Sequence, residues 1–174
     1  PLLAVDRALG ELRRGGLAVI GEPGSGRYVL VQAAEATTPH SLSQLADFAG
    51  STPVLAITRR RADALRLDGA RGVVAALQVP DGMAAQEVRD IADPLSTISF
   101  RMPPFANPDA ETERCLQAAI EITKLARLLP AALAAIVELG AVAAEARLGG
   151  AALEGCNEQL SRTRPDVIRS VHEQ

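Results

Sequence analysis

The chain has 174 residues, 18 of them Lys or Arg and 21 Asp or Glu, for a net charge of −3 at pH 7, so it is one domain's length with no basic stripe to neutralise a nucleic acid. Its aromatic content is three Phe, one Tyr and no Trp, which leaves few stacking platforms for bases, flavins or sugars. Two cysteines, Cys115 and Cys156, and two histidines, His40 and His172, build neither a disulfide framework nor a metal cluster, and no uncharged apolar run reaches the roughly 18 residues of a membrane span.

In chain order, Val5 to Arg14 predicts a helix, with Val5, Leu9 and Leu12 on one face. Gly15-Gly16 stops it. Leu17 to Ile20 has the length and apolarity of a strand. The breaker-rich Gly21-Glu22-Pro23-Gly24-Ser25-Gly26-Arg27 then turns the chain, and Tyr28 to Ala34 returns as a second strand. Thr38-Pro39 starts a helix running to about Phe48. Pro53 to Thr58 is a strand, and Thr58 caps a helix over Arg59 to Leu65. Gly72 to Val79 is a strand, Ala84 to Ala92 a helix, and Pro94 to Pro108 a proline-rich loop. Glu111 to Leu129 is the longest helix, ended by Pro130. Leu133 to Leu139 reads either as a strand or as a helix continuing, and its alanine content leaves the two open. This alternation predicts an α/β or α+β domain with a mixed sheet flanked by helices. Residues 1–148 form that domain, and 149–174 are a loosely packed, linker-like extension.

Few residues stand out chemically. The Gly21 to Arg27 loop suggests a phosphate cradle, but a strand follows it rather than a helix, and it lacks a Lys-Ser or Lys-Thr pair. Its one carboxylate is Glu22. Glu138 ends an apolar run, where a carboxylate needs a partner or a task. Cys115 sits mid-helix with no histidine near it in sequence, and reads first as a core cysteine. His40 falls in the first turn of a helix, as a surface or capping residue. Arg59-Arg60-Arg61 reads as a solvated helix face.

Taken together these segments resemble 3,4-dihydroxy-2-butanone 4-phosphate synthase, a riboflavin-pathway family. The resemblance runs over roughly residues 5–147 and is carried by framework residues: Ala33-Ala34-Glu35-Ala36-Thr37-Thr38, Leu55-Ala56-Ile57-Thr58 with Arg61-Ala62-Asp63-Ala64-Leu65, Ile91-Ala92-Asp93-Pro94, Ala118-Ala119-Ile120-Glu121-Ile122, and Glu138 on the glutamate of a Cys-Glu pair. The site motifs depart from it. The family's acidic run after the first strand, with its magnesium ligand, becomes the Gly21 to Arg27 loop. Its Arg-His-Gly becomes Asp47-Phe48-Ala49-Gly50, its Thr-Gly-x-Ser becomes Asp81-Gly82-Met83-Ala84, and its His-Thr-Glu, with the second magnesium ligand, becomes Cys115-Leu116-Gln117.

Synthase chemistry enolises a pentose phosphate, migrates carbon and expels formate, and a divalent cation stabilises the enediolate charge. One loop carboxylate without a histidine does not rebuild that cation site. The expectation is therefore a divergent homologue that does not make the riboflavin precursor and uses no metal or cofactor. It is repurposed either as a lyase- or isomerase-like enzyme on a small molecule or as a non-catalytic domain beside a GTP cyclohydrolase II domain. In the enzyme reading Glu22, Glu138, Cys115 and Asp47 are the catalytic candidates, and Arg27, Thr38 and His40 bind substrate. A homodimer is implied by the resemblance. A cytoplasmic location, with no nucleic-acid or membrane partner, follows from composition and from the lack of a charged-then-apolar leader.

Overall fold

Local signals place the helices where the sequence puts them. In the computed structural model, which describes residues 2–21, 27–49, 52–69 and 72–138, α1 (Leu2–Arg13) ends at Gly15, whose φ of +77° suits a residue without a Cβ. Helix α2 (Pro39–Ala49) opens with a reciprocal cap: the Thr38 hydroxyl accepts from the Ser41 amide at 3.1 Å, and the Ser41 hydroxyl accepts from the Thr38 amide at 2.9 Å. Thr58 caps α3 (Arg59–Ala64) by accepting from the Arg61 amide, and Asp109 caps α5 (Ala110–Leu125) by accepting from the Thr112 amide. Helix α4 is Ala85–Ala92. Helix α5 stops four residues short of the expected Leu129, because Arg127 turns left-handed at φ +60° and the Leu128 amide bonds back to the Thr123 carbonyl.

The strands are β1 (Ala18–Gly21), β2 (Arg27–Ala33), β3 (Val54–Thr58), β4 (Val74–Gln78) and β5 (Ala131–Glu138). They form one sheet in the order β1-β2-β5-β3-β4. Every pairing in it is antiparallel, so within the expected α/β class the sheet is not mixed. Strands β1 and β2 are joined by only five residues, 22–26, too few for the crossover that a parallel pair needs. The alanine-rich stretch before Leu139 is strand rather than helix, because β5 has ladder partners on both sides. It pairs with β2 from Arg27↔Glu138 to Ala33↔Ala132, and with β3 from Val54↔Ala134 to Ile57↔Ala131.

Side chains alternate across this sheet and build two cores. On one face Val29, Val31, Ala132 and Ala134 pack with Leu12 of α1 and Leu116, Ile120 and Ile122 of α5. On the other, Leu30, Leu55, Ile57, Leu133 and Val137 pack with Leu45 of α2 and with Val88 and Ile91 of α4. The outer border of β4 is covered by the proline-rich loop. Gln78 donates its amide to the Pro104 carbonyl, Ala106 donates to the Ala76 carbonyl, both at 2.8 Å, and Phe105 bridges Leu77.

The triple arginine is not a uniformly solvated face. Arg59 pairs with Asp63 at 2.9 Å and Arg60 is exposed, but Arg61 turns inward. Its guanidinium donates to the Ile91 carbonyl at 2.8 Å, the Asp93 carbonyl at 2.8 Å and the Asp90 carbonyl at 3.2 Å, closing the C-terminal end of α4. These are carbonyls that a helix end leaves without partners. Burial lowers the Arg61 pKa from its usual value, and nearby Asp93 pulls against that shift. Arg61→Ala is expected to cost about 2 kcal/mol in urea denaturation, and Arg61→Lys to recover less than half, because an ammonium lacks the planar fork. Wild-type stability in Arg61→Lys would show that the fork is dispensable.

Candidate functional site

The antiparallel register brings two of the sequence candidates together. Arg27 begins β2 and Glu138 ends β5, and their Cα atoms are direct partners. One step further along, Tyr28 lies opposite Gly21 on one side and Val137 on the other. Tyr28 is half-buried and is the single tyrosine of the chain. It was passed over in the sequence as part of an apolar strand, although its place directly after the glycine-rich loop marks it. Glu22, the remaining candidate of this end, lies outside the described residues.

The other catalytic candidates do not join this end. Cys115 is 1% exposed and packs among Val54, Ala56, Val74 and Leu116 on the α5 face of the sheet. A thiol enclosed this way does not reach a substrate, so its nucleophilic role is withdrawn and the core reading holds. Asp47 is exposed on α2, which packs on the opposite face. In the segments that resemble polar motifs of the family, Asp47, Asp81, Gly82, Ala84 and Gln117 are exposed. Phe48 and Met83 pack against the α2–α4 core, while Cys115 and Leu116 are fully inside the other.

Thr38 and His40 also lie elsewhere. They are exposed at the start of α2, beyond the far end of β2. The strand's six steps from Arg27 to Ala33 place them about 20 Å from the Arg27–Glu138 pair. There they line an open cleft of about 570 Å³ together with Arg14, Gly15, Gln32 and Glu35. The Glu35 carboxylate is tied to the Leu129 amide at 2.6 Å. Of the described candidates, Arg27 and Glu138 thus lie at one end of β2 and Thr38 and His40 beyond the other, while Asp47 is on α2 and Cys115 on α5.

This strand order and these two helical layers recur in solved enzymes. The chain aligns with a 3,4-dihydroxy-2-butanone 4-phosphate synthase of Candida albicans at a TM-score of 0.58 and 22% identity, over 75% of this chain and 78% of that one. It aligns with a cation-free 3,4-dihydroxy-2-butanone 4-phosphate synthase at 0.61 and 21%, over 76% and 74%. The chain has the fold of this synthase. The resemblance read from the framework residues is borne out at that level. A two-domain synthase from A. baumannii matches at 0.59 and 17% identity, over 76% of this chain and 47% of that one. No family model matches the chain. Among curated proteins, a GTP cyclohydrolase-2 of Azospirillum brasilense is 38% identical over 133 residues, which is 76% of this chain. The chain spans about a third, 34%, of the length of that relative.

One solved synthase is described in complex with two magnesium ions, so the donor set here can be compared with what that cation requires. Magnesium takes hard oxygen ligands, with near-octahedral geometry. Among the described residues no three His, Cys, Asp or Glu side chains gather to hold an ion. The position that resembles the family's histidine ligand is the enclosed thiol of Cys115. With Cys115 in the core, its thiol is expected to resist iodoacetamide in the native chain and to alkylate once the chain is unfolded in guanidinium, as read by mass spectrometry of the Cys115 peptide. Rapid native labelling would restore it as a reactive candidate.

Proposed function

We propose that this chain is a synthase-fold domain that does not itself make the riboflavin precursor and that accompanies a GTP cyclohydrolase-2-type unit as a non-catalytic partner. The observation that carries this reading is the curated relative, a GTP cyclohydrolase-2 three times the matched length, whose matched part corresponds to a synthase-fold chain. The packing supports it. Cys115 and Leu116 serve the core at the positions where the resemblance implies a histidine and a threonine. Removing several groups that act together on one enediolate costs many powers of ten in rate. A role in stabilising or orienting a neighbouring unit needs only the folded domain.

The relatives by name are enzymes, and one observation favours a catalytic alternative: the pairing of Arg27 with Glu138 across β2 and β5. On that reading the chain is a metal-independent lyase or isomerase acting on a small molecule at this end of the sheet, with Asp47 and Cys115 outside the machinery. The homodimer and the cytoplasmic setting expected from the sequence belong to either reading.

Incubation of the purified chain with ribulose 5-phosphate and magnesium, followed by enzymatic formate detection, is expected to give no signal above a protein-free control. Formate release at a rate typical of enzymes would overturn the proposal. Co-expression with a GTP cyclohydrolase-2 unit is expected to give co-elution and a higher melting temperature for that unit. Separate elution with unchanged melting would remove the partner role while leaving the fold assignment intact.

A further inference from the structure

We draw no further inference here: the strongest candidate, the surface patch after α4 made by exposed Leu95 and by the loop segment Thr97 to Met102, whose Ile98, Phe100 and Met102 are half-buried against the α2–α4 core, carries nothing because nothing in the structure shows what covers it.

Discussion

Strand β5 is the constraint on which the rest of the molecule depends. It lies at the centre of the sheet with ladder partners on both borders, and residues 131–135 are buried from both faces. A strand so placed has no solvent side, so it cannot show the alternation that marks a half-exposed strand. Its alanines are the other half of the constraint. Small side chains at Ala131, Ala132, Ala134 and Ala135 leave room for two helical layers to approach one strand from both sides, with Leu133 and Val137 filling the α2–α4 face. Enlarging any of these alanines would push a helix outward rather than fill a void.

Around that strand the chain keeps a framework that resembles the synthase's. Segments that resemble the synthase family are those that hold the cores, such as Leu55 to Ile57 and Ala118 to Ile122. In the segments that resemble its reactive motifs, Phe48 and Met83 pack partly against one core and Cys115 and Leu116 lie in the other, while Asp47, Asp81 and Gln117 are exposed. Polar groups assembled for catalysis are usually a stability cost.

What the sequence made legible, and what it did not, follows the range of the interactions. Caps and stops act within four residues, so Gly15, Thr38-Pro39 and Thr58 could be read from local sequence. Arg61 could not, because its carbonyl partners lie about thirty positions away on another helix and its neighbours Arg59 and Arg60 do face solvent. The antiparallel sheet was hidden because alternation of strands and helices is silent about which connectors cross a face. The strand state of β5 was hidden because alanine favours helix locally, and only ladder partners distant in sequence override that. At the candidate site, Arg27 and Glu138 were legible as framework and loop residues, but their adjacency depends on the β2–β5 register. Gln32 was passed over, although an amide between Val31 and Ala33 in an otherwise apolar strand is a visible departure from pattern.

The covering of β4 by Pro104 to Ala106 has a consequence for how copies of this chain behave at high concentration. An uncovered border strand is a template for further strands, and it is where ordered sheets begin to add molecules end to end. Here Phe105 and the amides of Gln78 and Ala106 occupy that template, and the two flanking prolines, Pro103 and Pro104, offer no amide hydrogens to extend it. Fibrillar growth from this border would first require the loop to peel away, so the proline-rich stretch acts as a built-in stopper against runaway sheet extension.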